Sequence, residues 1–191
     1  MNGYAPVKRA FDLITALAMA LALLPVFVVV AVLIRATSDG PAIFCQARVG
    51  RHGRPFRMFK FRTMRTGPDS AAVHNEDRVT PVGRALRRYR IDELPQVLNI
   101  IRGEMSWIGP RPEAETLSAI YAANLPGYHD RHAILPGVTG WAQVNQGHVI
   151  GIDQAATKLA LDRYYVARRS PWMDMLIVAK TVSVLLSGAG R

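Results

Sequence analysis

Two adjacent acids, Asp92 and Glu93, lie in an arginine-rich stretch that reads "RRYRIDELPQVLNIIRGEMSWIGPRPE". A carboxylate beside cations can attack phosphorus or bind a divalent metal ion. The simpler alternative is structural, because Asp is a favoured helix N-cap residue and Glu suits a first helical turn. The two roles are compatible. A helix start among arginines is expected to favour the ionised form of Asp92.

The arginines around this acidic pair indicate a phosphate site. Arginine binds phosphate through a planar fork of N–H donors. Six arginines fall within one stretch: Arg84, Arg87, Arg88, Arg90, Arg102 and Arg111. In "GPRP" two prolines restrict the backbone around Arg111, which favours presentation of its side chain to a ligand. The alternatives are a basic surface facing solvent or lipid headgroups and, for "GPRP", a structural turn.

The composition limits the classes of partner. The chain has 191 residues, half of them hydrophobic, and a net charge of +10. A basic and apolar chain suits nucleic acid, an anionic membrane surface or a phosphorylated substrate. Its single cysteine, Cys45, allows no internal disulfide and fits a reducing compartment. Walker A, GxGxxG and HExxH patterns are absent, and the five histidines form no recognisable zinc set.

An uncharged apolar segment covers residues 13–34, "LITALAMALALLPVFVVVAVLI". As one helix it would extend roughly 33 Å, enough to cross a bilayer core. Two features favour a re-entrant hairpin instead. Pro25 lacks an N–H and breaks a helix, and both flanks are basic, as cytoplasmic flanks are. A spanning anchor and a re-entrant hairpin both remain open.

The remaining elements must position the acids. The sequence predicts an α+β fold that is mainly helical, with interfacial amphipathic helices. One or two β-hairpins are predicted in Gly40–Met64, ending at Lys60 and Arg62, and a loop is predicted over 66–80. Two helices are predicted with a break near Asp92, followed by helices over 113–125, 153–169 and 172–187. The glycine-rich stretch "LPGVTGWAQVNQGHVIG" is predicted to be a loop.

Several longer strings occur in a characteristic order. They are "KRAFD", "GPAIFCQARVG", "KFRTM", "RIDELPQVLNIIRGEMSWIGPRP", "LPGVTGWAQVN" and "LDRYYVARRSPWMDMLIVAKTV". With these strings the chain resembles the bacterial sugar transferases, specifically the small monotopic phosphoglycosyl transferases. The resemblance implies transfer of a sugar 1-phosphate from a UDP-sugar to polyprenyl (undecaprenyl) phosphate, with release of UMP. It also implies Mg²⁺, a ping-pong route through a covalent aspartyl intermediate, and a role in polysaccharide or glycoconjugate biosynthesis at the cytosolic face of the bacterial inner membrane.

The resemblance also assigns roles to residues and segments of this chain. Asp92 is the expected nucleophile and metal ligand, and Glu93 is its helper. The expected substrate-binding or site-supporting residues are Lys60, Arg62, Arg87, Arg111 and Asp162. Residues 1–36 are expected to form the membrane hairpin with its break at Pro25, and residues 37–191 the cytosolic catalytic domain, as one functional unit. Membrane lipids are expected partners, together with a second copy of the chain in a homodimer.

One loop departs from the family pattern. Many members read "GWAQVNGR", whereas this chain reads "GWAQVNQGHVIG" and lacks that arginine. His148 and Arg131 are the candidate replacements, and no sugar is predicted. Two other hypotheses are a membrane-anchored nucleic-acid-binding module, which rests on the charge of +10, and an inactive structural partner in polysaccharide assembly.

Overall fold

A break at Leu23 divides the N-terminal apolar segment into two helices. The computed structural model describes three stretches of the chain, residues 3–65, 78–147 and 151–187. Helix α1 covers Tyr4–Ala22 and helix α2 covers Leu24–Thr37, with a bend of 59° between them. Pro25 lies in the first turn of α2, where its missing N–H costs no helical hydrogen bond. The chain therefore bends two residues before the proline at which the sequence places the break.

The paired helices α1 and α2 carry a large exposed apolar surface. No single helix within the described stretches is long and apolar enough to cross a membrane, but the bent pair meets that criterion together. The exposed side chains on the pair include Val7, Phe11, Ile14, Leu17, Leu21, Leu24, Val28, Val29, Val32 and Leu33. An apolar surface of this extent on a folded chain indicates that something other than water covers it.

A β-hairpin follows α2. Strand β1 (Ile43–Val49) pairs with strand β2 (Pro55–Phe61) in antiparallel register. The hairpin prediction is confirmed, with Lys60 inside β2 and Arg62 just after it. Of the loop predicted over residues 66–80, residues 66–77 lie outside the described part of the chain.

Two short helices flank the acidic pair. Helix α3 covers Pro81–Arg88, helix α4 covers Gln96–Arg102, and a 3-10 turn between them covers Ile91–Glu93. Helix α3 begins where it does because the Thr80 hydroxyl accepts a hydrogen bond of 2.9 Å from the Gly83 N–H and a proline fills the first turn. The predicted break near the acids is thus confirmed.

A second small sheet joins distant parts of the chain. Strand β3 (Ser106–Ile108) pairs in parallel with strand β4 (Gly137–Thr139). Helix α5 (Glu115–Asn124) and a 3-10 helix (Tyr128–Ala133) lie between them in sequence, and helix α6 (Trp141–Asn145) follows β4. The prediction of a loop over this glycine-rich stretch is wrong for β4 and α6, because its glycines let neighbouring backbones approach closely enough to pair.

Two longer helices complete the chain, α7 (Ile152–Arg168) and α8 (Pro171–Ser187). Both were predicted within a residue or two at each end. The inner face of α8 contributes Met173 and Ile177 to a core cluster that also contains Ile108. Its outer face exposes several large apolar side chains: Trp172, Met175, Leu176, Val178 and Val182.

Helix α1 packs against the catalytic part of the chain as well as against α2. Ala16 of α1 is fully buried against Val97 and Ile100 of α4 and against Met105. Arg9 donates to the Ile100 carbonyl at 2.7 Å, adding a second donor to the one that Gly103 N–H supplies near the end of α4. The first helix is therefore part of the same core as the helix that follows the acidic pair.

Buried polar side chains join the first and last helices. Asp174 of α8 accepts hydrogen bonds from Tyr4 (2.5 Å) and Tyr165 (2.7 Å) and lies 2.9 Å from the Lys8 ammonium. Asp12 accepts a hydrogen bond of 2.7 Å from Ser106. We refer to these side chains as the α1–α8 polar cluster: Tyr4, Lys8, Asp12, Ser106, Tyr165 and Asp174. The cluster fixes α1 against α8 and β3.

Candidate active site

The turn that carries the two acids begins with a strained residue. Arg90 has a φ of 56°, in the left-handed region that non-glycine residues rarely adopt. Such a conformation costs roughly 1 to 3 kcal/mol and persists where the surrounding structure imposes it. The strain lies immediately before the turn Ile91–Glu93, so the structure holds the acids in a specific place at an energetic cost.

Glu93 is bound by two cations. The Lys60 ammonium lies 2.8 Å and an Arg111 Nη2 lies 2.9 Å from the same carboxylate oxygen, Oε1. Burial opposes ionisation of Glu93, but the charges of Arg111 and Lys60 outweigh it and lower the pKa well below its usual range. Glu93 is therefore a fixed negative charge that orients two side chains.

Asp92 is in the opposite electrostatic situation. Its Oδ1 is buried and accepts no hydrogen bond from the described residues. Burial, reinforced by the negative charge of Glu93, raises the pKa of Asp92 despite the nearby cations Lys60 and Arg87. The prediction that a helix start favours its ionised form is wrong, because Asp92 caps no helix and the N-cap position of α4 is Pro95.

Side chains from three separate elements converge on the acids. Lys60 comes from β2 and Arg111 from the segment after β3, and both contact Glu93. Arg87, at the end of α3, donates to the Thr63 hydroxyl at 3.0 Å and contributes positive potential at Asp92. The structure thus brings together five of the predicted site residues: Lys60, Arg87, Asp92, Glu93 and Arg111.

Arg62 makes different contacts. Its buried guanidinium donates to the Asp39 carbonyl at 2.5 Å and to the Ser38 carbonyl at 2.8 Å. These contacts tie the end of β2 to the residues that follow α2, a structural role. Substrate binding by Arg62 stays a prediction.

Asp162 is separated from the acids by Arg131 and Arg111. It is 1% exposed and accepts hydrogen bonds from Arg131 Nε (2.9 Å), with Arg131 Nη2 at 2.8 Å. Arg131 is itself buried, and its remaining donors reach the Tyr128 hydroxyl and the Arg111 carbonyl. Arg131 therefore does not fit the expected role of replacement for the missing loop arginine. The other candidate, His148, lies outside the described residues.

The segment Pro110–Glu113, hereafter the PRPE segment, is held through its carbonyls. Two of its residues are prolines without an N–H, so the backbone offers mainly acceptors. Four consecutive carbonyls accept hydrogen bonds: Pro110 from Gly137 N (3.0 Å), Arg111 from Arg131 Nη2 (2.8 Å), Pro112 from Arg48 Nη1 (3.1 Å) and Glu113 from Val49 N (2.9 Å).

Sequence reasoning missed these supporting side chains. Arg48 and Arg131 hold the PRPE segment, and the Glu113 carboxylate forms an ion pair with Lys158 of α7. A signal was present in "GPRP", because a backbone without N–H groups needs donors for its carbonyls from elsewhere. The sequence did not show which arginines supply those donors, since both lie far away along the chain.

The residues fit the magnesium ion that the family resemblance implies. Within the described stretches no group of three or more His, Cys, Asp or Glu side chains could hold a metal ion by itself. Mg²⁺ commonly takes one or two carboxylates and fills its shell with water and substrate phosphates. The buried Oδ1 of Asp92, without a hydrogen-bond partner in the described residues, is a suitable hard oxygen ligand.

The paired acids among cations lie next to the exposed apolar helix pair, because Ile91 and Leu94 pack against Val30 and Ile34 of α2. The chain belongs to the bacterial sugar transferase family, whose sequence pattern matches residues 3–188.

The relatives include a UDP-N-acetylgalactosamine-undecaprenyl-phosphate N-acetylgalactosaminephosphotransferase of Aeromonas hydrophila. It is 42% identical to this chain, over 98% of this chain and 45% of its own length. A UDP-glucose:undecaprenyl-phosphate glucose-1-phosphate transferase of Caulobacter vibrioides is 42% identical, over 94% of this chain and 70% of its own length. The exopolysaccharide production protein PSS of Rhizobium leguminosarum bv. phaseoli is 41% identical over 96% of this chain and 98% of its own length. This chain therefore spans less than half of the Aeromonas relative.

Proposed function

We propose that this protein transfers a sugar 1-phosphate from a UDP-sugar to undecaprenyl phosphate, giving undecaprenyl diphosphate sugar and UMP. One observation carries the proposal. Glu93 is neutralised by Lys60 and Arg111, whereas adjacent Asp92 keeps a buried oxygen without a hydrogen-bond partner among the described residues. The names of the Aeromonas and Caulobacter relatives, both undecaprenyl-phosphate sugar phosphotransferases, support the same chemistry.

In the first step, the Asp92 carboxylate attacks the phosphorus that carries the sugar. A bond forms between a carboxylate oxygen of Asp92 and that phosphorus, and the bond from this phosphorus to the bridging oxygen breaks. UMP leaves with the bridging oxygen and its electron pair. The raised pKa of Asp92 makes its ionised carboxylate more basic, which favours attack.

In the second step, a phosphate oxygen of undecaprenyl phosphate attacks the same phosphorus. The Asp92 carboxylate is the leaving group, so the residue returns to its starting state without consumption of water. The covalent intermediate separates the steps, which lets the soluble nucleotide leave before the lipid phosphate reacts.

Positive side chains offset the charge of the diphosphate. Arg111 is the side chain best placed to shift from Glu93 toward an incoming phosphate, because one of its nitrogens already lies beside the acids. Arg87 contributes positive potential at Asp92 from the other helix. Bound Mg²⁺, with Asp92 as a protein ligand, supplies further neutralisation of the leaving group.

The bent helix pair accounts for access to the lipid substrate. We place α1 and α2 as a re-entrant hairpin that enters and leaves the bilayer on the cytosolic side, with the acids at the membrane surface. The exposed apolar side chains of both helices support this placement, and Arg35 in the last turn of α2 suits a headgroup contact. Both substrates then reach Asp92 from the same side of the membrane.

The test is UMP release by the purified full chain in lipid nanodiscs with Mg²⁺. The donors are UDP-N-acetylgalactosamine and UDP-glucose, the sugars in the relatives' names, followed by other UDP-sugars, with and without undecaprenyl phosphate. We expect one UMP per enzyme without acceptor, continuous release with acceptor, and a phosphosugar on the Asp92 peptide by mass spectrometry.

Asp92→Asn should reduce turnover by at least about a thousandfold, because an amide is a poor nucleophile toward phosphorus. Asp153→Asn, on the exposed first turn of α7, is the matched control and should retain activity. Full activity of Asp92→Asn would exclude the covalent route. Absence of UMP with every donor would favour the inactive structural partner. Family membership gives no support to the nucleic-acid-binding hypothesis.

A further inference from the structure

We propose that Asp162 and Arg131 are positioning residues that hold Arg111 in place, rather than groups that bind substrate. The inference rests on the proposed function and assigns a distinct role to a buried ion pair behind the acids. It replaces the direct substrate contact expected for Asp162 with an indirect one, through Arg131 and the backbone of the PRPE segment.

The geometry connects α7 to the acids in a single line of contacts. Asp162 fixes the Arg131 guanidinium through Nε and Nη2. The same Nη2 donates to the Arg111 carbonyl at 2.8 Å, and the Arg111 side chain reaches Glu93 at 2.9 Å. Four charged side chains and one backbone carbonyl therefore connect helix α7 to the turn that carries Asp92.

Arg111 depends strongly on this carbonyl contact. The prolines on either side of it have no N–H, so the segment is anchored mainly through its carbonyls, and Arg131 holds the one that belongs to Arg111. Its own carbonyl is the backbone acceptor closest to its side chain, and Arg131 supplies the donor. Loss of that donor leaves the part-buried Arg111 carbonyl without this partner, which weakens the placement of the residue.

The burial of the pair leaves little of either side chain open to a ligand in this conformation. Arg131 is 3% exposed and Asp162 is 1% exposed. The Tyr128 ring lies 5.4 Å from the Arg131 guanidinium, and its hydroxyl accepts from Nη1 at 3.2 Å. The N–H donors of the guanidinium thus already have partners, as expected for a side chain that positions its neighbours.

A matched control pair exists on the same two elements. Arg163 of α7 and Asp130 of the 3-10 helix Tyr128–Ala133 form an ion pair at 3.1 Å that is about half exposed on both sides. Asp130→Asn removes an Arg–Asp pair between these elements without touching the PRPE segment. Asp162→Asn removes the buried pair by the same replacement of a carboxylate with an amide.

The experiment compares kcat and KM for UMP release with undecaprenyl phosphate present. We expect Asp162→Asn to lower kcat about tenfold to a hundredfold, the effect of a misplacement of about 1 Å, with KM for the UDP-sugar changed less than about threefold. Arg131→Lys should do the same, because a compact ammonium cannot reproduce the fork whose Nε, Nη1 and Nη2 reach Asp162, Tyr128 and the Arg111 carbonyl together. Asp130→Asn should match the wild type.

A cycle with Arg111→Lys separates positioning from general destabilisation. A flexible lysine depends less on backbone placement, so Asp162→Asn should cost less than about threefold in that background. An equal loss in both backgrounds, or a rise in KM with unchanged kcat, would overturn the proposal. Thermal unfolding of every variant identifies any that fail to fold. If Asp162→Asn does not fold, Arg131→Lys, which keeps the charge pair, is compared with the wild type in its place.

The outcomes distinguish this inference from the proposed function. If wild-type protein releases no UMP with any donor, the proposed function fails. If wild-type protein is active and Asp162→Asn equals it in kcat, only the positioning role fails.

Discussion

Two neighbouring acids of the same turn have opposite environments. Glu93 shares one oxygen between Lys60 and Arg111, whereas Asp92 has an oxygen without a hydrogen-bond partner among the described residues. The difference arises from the three-dimensional placement of β2 and the PRPE segment, because both acids have the same sequence surroundings. On this asymmetry we base the proposal that Asp92 is the reactive acid and Glu93 the organising one.

A second residue, His132, sets a pH dependence of stability. Its side chain is buried against Tyr128, with ring centres 5.3 Å apart, and its two nitrogens have no hydrogen-bond partner among the described residues. Burial, with the adjacent charge of Arg131, lowers the pKa of His132 to about 4. The unfolded chain takes up this proton near the ordinary pKa of about 6.5.

We predict that the protein loses stability as pH falls from about 6.5 to about 4, since the unfolded state binds more protons in that window. The loss attributable to His132 is roughly 2 kcal/mol, with allowance for solvent screening. His132→Phe keeps the ring contact and should flatten the dependence, measured as thermal unfolding midpoints in nanodiscs between pH 4.5 and 7.5. His129→Phe, at an exposed neighbour, is the control, and an unchanged slope in His132→Phe would contradict the assignment.

At the level of residues, the sequence predicted the acids and three of their cations. It did so because the carboxylate pair, the arginine density and "GPRP" are local features. It did not predict which acid is neutralised, nor the roles of Arg131 and Arg48. Those depend on contacts between residues far apart in sequence, which a local pattern does not contain.

Among the elements, the contact between α3 and the end of β2 is the tightest in the site. A Cβ built at Gly83 would lie 2.0 Å from the Thr63 carbonyl oxygen. Thr63 in turn accepts the Arg87 hydrogen bond, so the helix position and the placement of this cation are coupled. Only a residue without a side chain allows this approach.

Gly83→Ala should therefore destabilise the protein by about 2 to 4 kcal/mol, because backbone atoms must move to relieve the clash. We also expect UMP release to fall more than stability alone explains, since Arg87 moves with α3. The measurements are thermal unfolding and activity at a temperature where the variant is fully folded. Gly3→Ala, where no described atom lies within 4 Å of the added Cβ, is the control. Wild-type behaviour of Gly83→Ala would refute the coupling.

Sequence patterns predicted the long elements better than the short ones. Helices α7 and α8 follow from their length and apolar spacing, and the break before α2 follows from Pro25. Strand β4 and helix α6 have too few residues for a periodic signal. They exist because β4 pairs with β3, a partner that lies before α5 in the chain.

For the molecule as a whole, the membrane placement that we propose rests on the exposed apolar pair α1–α2. A re-entrant hairpin places the start of α1 and the end of α2 on one side, whereas a spanning helix pair places them on opposite sides. The sequence alone left both open, because only two basic residues, Lys8 and Arg9, precede the apolar segment 13–34. The bend of 59° is compatible with either arrangement.

We predict that cysteines at Gly3 and Ala36 report the same side. The exposed native Cys45 is first changed to Ser, and Asp153→Cys on α7 marks the catalytic side. In intact spheroplasts a membrane-impermeant maleimide should label none of the three sites, and after permeabilisation it should label all three. Labelling of Gly3→Cys alone in intact cells would establish the spanning arrangement.

The α1–α8 polar cluster has a consequence for the order of synthesis. Tyr4 and its partner Asp174 are 170 residues apart, so a ribosome needs on the order of ten seconds or more to connect them. Until Asp174 is made, the acidic neighbour of Lys8 on its own helix is Asp12, whose Oδ1 lies 3.6 Å from the Lys8 ammonium in the folded structure. The apolar helices are made before the residues of α8 that fix α1 to the rest of the chain. A chain that stops before Asp174 therefore carries its exposed apolar helices without the partner that secures α1.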